Sequence, residues 1–169
     1  MPDAPLIVTL LVDDDAQQHF DALRSEHFPA ERNYLKAHVT LFHALPAGRV
    51  NDVDRSVRDA TRRAAFDLHV TGVRLLGRGV ALDVEAPELT ALHARLRAQW
   101  RPHLSRQDAQ PLRPHVTVQN KVEPQDAKAL LSELTNSFEP FIATGMGLDL
   151  WWYRGGPWEK ARGFPFACP

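Results

Sequence analysis

Cysteine is almost absent from this chain, and so is any large excess of charge of one sign. Cys168 is the only cysteine, and a single cysteine excludes an internal disulfide and a zinc site built on cysteine ligands. The formal net charge is -1 over 169 residues. A protein that coats nucleic acid without specificity carries a large excess of Lys and Arg. Any anionic ligand must therefore be met by a local cluster of donors.

Long hydrophobic runs are also missing. No stretch approaches the roughly 20 apolar residues that cross a bilayer, and the N-terminal residues 1–5 lack the basic and apolar segments of a signal peptide. We therefore expect a protein without membrane attachment that acts in the reducing cytoplasm as a monomer. Hydrophobic residues still make up 44% of the chain, which suffices for one compact domain of about 100 to 200 residues.

One short motif occurs twice. The quartet His-Val-Thr-apolar stands at residues 38–41 and again at residues 115–118, and each copy lies in a stretch typical of a β-strand. Side chains of a strand alternate between its two faces. We therefore expect His38 and Thr40 on one face, and His115 and Thr117 on the corresponding face of the second strand.

The elements around the two motifs follow the same order in both halves. Hydrophobic periodicity predicts β-α-β(HVT)-α-β twice, an internal repeat of about 75 residues that is typical of a two-lobed α+β protein. Asp13 is the expected start of the first helix, and Pro87 and Pro124 are expected near the starts of two later helices. We predict one domain whose halves span approximately residues 5–76 and 78–166.

Two His/Thr pairs in one cleft suit a reaction at phosphorus. Imidazoles titrate near pH 6.5, so two of them in one cleft can hold opposite protonation states at neutral pH, one as the base and one as the acid. The two hydroxyls would donate hydrogen bonds to the non-bridging oxygens. Neither a metal nor a cofactor is required. Acid-base catalysis contributes on the order of a hundred- to ten-thousand-fold per group, which favours a cyclic or otherwise activated phosphodiester as the substrate.

These motifs resemble those of the two-histidine (2H) phosphoesterase superfamily, which includes bacterial 2'-5' RNA ligase and RNA 2',3'-cyclic phosphodiesterase proteins. The resemblance covers the whole chain in length, order and motif spacing. It implies an α+β, pseudo-duplicated fold in which antiparallel sheets line a central cleft and helices cover the outer faces. It also implies that His38 and His115 are the acid-base pair and that Thr40 and Thr117 bind the phosphate.

Several other residues are candidates for substrate binding. Lys36 and Arg113 each precede a motif histidine by two residues and would share its face if both strands extend that far. Phe42 is expected on the face of His38, and strand alternation places His43 on the opposite face. A base would stack on an aromatic segment near the C-terminus, which consists of Trp151, Trp152 and Tyr153.

The sequence thus predicts a metal-independent phosphodiesterase that hydrolyses 2',3'-cyclic phosphates of RNA ends or nucleotides, with ligation to a 2'-5' linkage as the reverse reaction. Its partner would be an RNA or nucleotide that carries a cyclic phosphate or a 2'-5' linkage. The alternative is a module that binds an RNA end or a phosphate ligand with little catalysis. The symmetric motifs leave open which histidine is the base.

Overall fold

Strands and helices alternate along the chain in the predicted order. The computed structural model describes residues 4–168; residues 1–3 of the N-terminal segment considered above lie outside that range. The strands are β1 (Leu6–Val12), β2 (Val39–Leu45), β3 (Phe66–Leu75), β4 (Val80–Glu85), β5 (His115–Gln119), β6 (Phe141–Trp152) and β7 (Glu159–Pro165). The α-helices are α1 (Asp14–His27), α2 (Val50–Ala60), α3 (Pro87–Trp100) and α4 (Pro124–Ser137).

The helix starts follow from local chemistry. Asp13 caps α1, because its Oδ2 accepts a hydrogen bond from the amide of Ala16 at 3.2 Å. Its other oxygen accepts from the amide of Thr144 at 2.8 Å, which ties the start of α1 to β6. Pro87 and Pro124 occupy the first positions of α3 and α4, where the missing N–H costs no hydrogen bond.

The strands of both halves join into one antiparallel sheet, which confirms the α+β class. Within the described residues this sheet has seven strands in the order β2-β1-β6-β3-β4-β5, and β7 pairs with β6. The first part of β6 pairs with β3, and its second part pairs with β1 and β7. The sheet is curled. Cα atoms of β2 and β5, the first and last strands of this order, approach within 8 Å of each other.

Both motif strands carry an extra residue directly after the motif threonine. In β2, Thr40 pairs with Thr9 but Phe42 pairs with Val8, so Leu41 is the inserted residue. In β5, Thr117 pairs with Ala81 and Gln119 with Val80. A β-bulge of this kind shifts the alternation of side chains beyond it. The motif residues therefore keep the predicted faces, and the residues that follow them exchange faces.

Helices of each half also contact the other half. Helix α1 packs on β5, and α4 packs on β3 and β4. The buried apolar residues form one cluster drawn from both halves, which includes Leu41, Leu82, Val116 and Leu148. The two motif strands are thus fixed on a shared core. No helix within residues 4–168 is long and apolar enough to cross a bilayer.

Candidate active site

The curled sheet brings the two motif histidines together. His38 precedes β2 directly and His115 begins β5, the two strands whose Cα atoms approach each other. After burial and the charges of Arg24 and His43, the charge of His115 is a further, smaller cause that lowers the pKa of His38. Both histidines are half-buried.

Both imidazoles are held in the same way. Nδ1 of His38 lies 2.8 Å from the carbonyl oxygen of Lys36, and Nδ1 of His115 lies 2.9 Å from the carbonyl oxygen of Arg113. A carbonyl only accepts hydrogen bonds, so Nδ1 of each ring carries a proton. In the neutral rings Nε2 is then the atom with a free lone pair. Each ring can accept a proton at Nε2 and return it there.

The site lowers the pKa of both rings. Burial lowers the pKa of His38 to about 4; the bond to the Lys36 carbonyl opposes this effect, and the charge of Arg24 adds to it. Burial is also the main cause that lowers the pKa of His115. Both rings are therefore neutral at pH 7 in the free protein.

The motif threonines lie beside the histidines and are half-buried. Within the described residues neither Thr40 nor Thr117 uses its hydroxyl in a hydrogen bond to a protein group, which leaves both hydroxyls available to a ligand. Phe42 was expected on the same face, and this prediction is wrong. Its side chain is fully buried and packs against His93 and Trp100, because the bulge turns it into the core.

The same bulge gives His43 a place in the site. The side chain is exposed, and its charge lowers the pKa of both His38 and His115. Its Nδ1 lies 3.3 Å from Oδ1 of Asp108, a buried carboxylate that also accepts from the amides of His43 at 2.8 Å and Ala44 at 2.9 Å. Strand alternation alone placed His43 on the wrong face.

Basic groups differ between the two sides of the site. Neither motif strand extends back to Lys36 or Arg113, so the predicted shared strand face does not exist. Lys36 nevertheless lines the pocket beside His38, and Arg113 is exposed.

Beside His115 lies Arg74, whose charge lowers the pKa of that ring. Arg74 Nε forms an ion pair with Asp83 Oδ1 at 3.1 Å. Its Nη2 is buried without a hydrogen-bond partner in residues 4–168.

The aromatic candidates fall into different places. Trp151 lines the pocket beside His38, and its Nε1 donates to Thr9 Oγ1 at 2.8 Å. Trp152 packs against the core, and Tyr153 is exposed beyond the end of β6. The sequence reasoning missed Trp158, whose ring centroid lies 4.7 Å from that of His38. A tryptophan directly after the Gly-Gly-Pro turn was the available signal, because a hairpin returns this residue toward β6.

The two motif strands carry two proton-transfer groups and two hydroxyls without a protein hydrogen-bond partner in residues 4–168, and Arg74 adds a guanidinium beside His115. These groups suit an oxyanion such as a phosphate. Within the described part of the chain, no three His, Cys, Asp or Glu side chains are grouped so that they could hold a metal ion.

Known proteins support this description of the fold. A family model described as the 2'-5' RNA ligase superfamily matches residues 12–157. TT0787 of Thermus thermophilus superposes with a TM-score of 0.70 at 15% identity, over 97% of this chain and 98% of that one. LigT of E. coli complexed with 3'-AMP superposes with a TM-score of 0.66 at 18% identity, over 97% and 98%. LigT complexed with NADP+ gives a TM-score of 0.65 at 18% identity, over 98% of both chains. No curated protein matches this chain.

Proposed function

This chain belongs to the 2'-5' RNA ligase superfamily, and we propose that it is a metal-independent phosphodiesterase that opens 2',3'-cyclic phosphates of RNA ends or nucleotides. His38 and His115 are the acid-base pair, and Thr40 and Thr117 hold the phosphate. A cytoplasmic monomer and a duplicated single domain are part of the proposal. LigT was solved with 3'-AMP, a nucleotide whose phosphate is bonded to a ribose oxygen, as in the proposed substrate.

The main support is the matched pair of histidine environments. Each ring donates from Nδ1 to the carbonyl two residues before it, so each presents Nε2 as the exchangeable position. A threonine follows two residues later in both copies and lies half-buried with a free hydroxyl. A symmetric pair of this kind serves a reaction in which one proton is taken and another is given.

The proposed reaction moves two protons and exchanges one bond. One neutral imidazole takes a proton from water at Nε2 while the water oxygen bonds to phosphorus. One ring P–O bond breaks, and the other imidazole, protonated, gives its proton to the leaving ribose oxygen. The two threonine hydroxyls and Arg74 stabilise the charge on the non-bridging oxygens. If a 5'-hydroxyl replaces water and the 3'-oxygen leaves, the product is a 2'-5' linkage.

The lowered pKa values favour an order in which the phosphate binds before the acid is protonated. Both rings are neutral at pH 7 in the free site, and the negative charge of a bound phosphodiester raises the pKa of a neighbouring imidazole. The substrate thus promotes protonation of its own acid. The same low pKa values favour the rival function, a module that binds phosphate ligands or RNA ends and performs little chemistry.

Turnover separates the two functions. The wild-type protein is incubated with 2',3'-cyclic nucleotides and with 2'-5'-linked oligomers, and phosphorus NMR assigns the products. We expect that His38→Ala and His115→Ala each lower turnover at least about a hundredfold, with smaller effects on the Kd of a 3'-nucleotide. His69→Ala, which removes an exposed imidazole from β3, serves as the control and retains turnover.

Two outcomes would reject the proposal. Saturable binding of nucleotides without product at any pH from about 5 to 9, a range that spans imidazole titration, would assign the rival function. Full turnover in both histidine variants would remove the acid-base assignment. We expect EDTA to leave the rate unchanged, and a loss of activity that added metal restores would contradict a metal-independent mechanism.

A further inference from the structure

A pocket of about 400 Å³ opens beside His38 on the side of β6. It falls in the size range of small-molecule sites, which is about 300 to 1,000 Å³. Trp151, Trp158 and the exposed Tyr34 supply aromatic surface, with the centroids of the two tryptophan rings 6.2 Å apart. Stacking on such surface contributes about 1 to 3 kcal/mol per nucleic acid base and tolerates every base.

One carboxylate breaks the apolar lining of this pocket. The side chain of Asp149 is 9% exposed, and its Oδ1 is buried without a hydrogen-bond donor in residues 4–168. Lys160 Nζ lies 3.4 Å from that oxygen, which forms an ion pair. The lysine side chain is itself 52% exposed. The ion pair leaves acceptor sites of the carboxylate unfilled.

Strand pairing fixes the distance between Asp149 and the proposed phosphate site. Asp149 pairs with Thr9, and Thr9 pairs with Thr40, so the three residues form a row across β6, β1 and β2. Neighbouring strands lie about 4.8 Å apart, so the row spans roughly 10 Å. This separation is comparable to that between the phosphate of a nucleotide and the polar edge of its base. The Thr9 side chain is held in its orientation, because its hydroxyl accepts the hydrogen bond from Trp151.

The other half of the sheet has the opposite charge at the matching position. There Thr117 pairs with Ala81, and Ala81 pairs with Arg74, in a row across β5, β4 and β3. The two rows are equivalent in the strand order, yet one ends in a carboxylate and the other in a guanidinium. At this position of the row, a hydrogen-bond acceptor therefore stands on the His38 side, and a cation that favours a second anion stands on the His115 side.

We propose that the pocket beside His38 is a base subsite in which Asp149 accepts a hydrogen bond from an exocyclic amino group of the substrate base. The proposal rests on the proposed function, whose substrate it specifies. Cytosine, adenine and guanine carry such an amino group. Uracil presents a carbonyl at the corresponding position, and a carboxylate repels it. The substrate class is thus a cyclic phosphate whose terminal base is an amino base.

Cytidine and uridine provide the sharpest comparison, because the two bases are nearly the same in shape. We expect kcat/KM for 2',3'-cyclic CMP to exceed that for 2',3'-cyclic UMP at least about tenfold, since a buried acceptor left unpaired is costly. Guanosine against inosine repeats the comparison for purines, because inosine lacks the amino group. Equal kcat/KM values in both pairs would overturn the proposal.

The variants separate recognition from a purely structural ion pair. Asp149→Asn retains the shape of the side chain, and its amide can donate to a carbonyl; we expect the preference for cytidine to fall to about onefold or to reverse. Lys160→Gln removes the ion pair but retains the carboxylate, and we expect it to keep the preference. A Lys160→Gln variant that loses the preference as fully as Asp149→Asn would assign the pair a structural role and overturn the proposal.

Binding measurements keep this test independent of catalysis. The Kd values of 3'-CMP and 3'-UMP are measured by titration calorimetry with the wild-type protein and both variants. If no cyclic phosphate is turned over, the proposed function fails, yet tighter binding of 3'-CMP that depends on Asp149 would still support the base subsite. If turnover occurs and both nucleotides bind equally, the base subsite alone is rejected.

Discussion

Arg24 of α1 reaches across to the second motif strand and donates a hydrogen bond from Nη1 to the carbonyl oxygen of Thr117 at 3.1 Å. The same guanidinium donates from Nε to Asn33 Oδ1 at 2.8 Å and lies 4.0 Å from the centroid of the Phe28 ring. The side chain is buried. A residue of the first half thus holds the strand that carries His115 and Thr117.

Removal of this link should lower both stability and activity. Arg24→Ala leaves a buried carbonyl and an amide without a charged donor, and we expect the free energy of unfolding to fall by roughly 3 kcal/mol. Arg24→Lys should recover only part of the loss, because a lysine cannot reproduce the planar fork. Denaturant titrations measure the change, with Arg32→Ala, an exposed residue, as the control. Equal losses in the Arg24→Ala and Arg32→Ala variants would contradict this role.

The low pKa of His38 should make stability depend on pH. In the unfolded chain this imidazole protonates near pH 6.5, and in the folded protein near about 4. Between these values the unfolded state binds more protons, so the free energy of unfolding decreases as the pH falls through this window. Unfolding at pH 7 and at pH 5 should show a smaller difference in His38→Asn than in the wild type. A midpoint for His38 above pH 6 in an NMR titration would contradict the prediction.

The pH dependence of the rate should reflect the same environments. The ratio kcat/KM reports groups of the free enzyme, and both histidines have lowered pKa values in that state. We therefore expect a bell-shaped profile with its maximum between about pH 4 and 6.5, the folded pKa of His38 and the ordinary histidine value. The kcat profile should lie at higher pH, because bound phosphate raises both pKa values. A kcat/KM that still increases above pH 7 would be inconsistent with this pair.

Asp108 should matter for the end of the first motif strand. Burial raises its pKa, but the hydrogen bonds from the His43 side chain and from the amides of His43 and Ala44 outweigh burial, so the pKa lies below its ordinary value. Asp108→Asn weakens these charge-assisted bonds, and we expect a loss of roughly 2 kcal/mol in unfolding free energy. Asp67→Asn, on the exposed side of β3, is the matched control. Thermal unfolding of the two variants decides the point, and an unchanged Tm for Asp108→Asn would refute it.

The failures of sequence reasoning concentrate at the two bulges and at the strand starts. Alternation placed Phe42 in the cleft and His43 behind it, and one extra residue, Leu41, reverses both positions. No local propensity marks that residue as inserted, because Leu41 suits an ordinary strand equally well. Lys36 and Arg113 were expected to act through their charged side chains, and the groups that contact the histidines are their backbone carbonyls.

The repeated His-Val-Thr quartet and the periodicity around it were enough to predict the element order and the α+β class, because these depend on local patterns of period two and period 3.6. The sequence did not predict the other residues around the motifs. Asp149, Arg74, Trp158 and Arg24 lie far from the motifs in sequence, and only the pairing of distant strands and the packing of α1 on β5 bring them to the site. Burial among those elements also sets the pKa of each histidine. Such contacts depend on non-local packing, which a pattern of neighbouring residues does not encode.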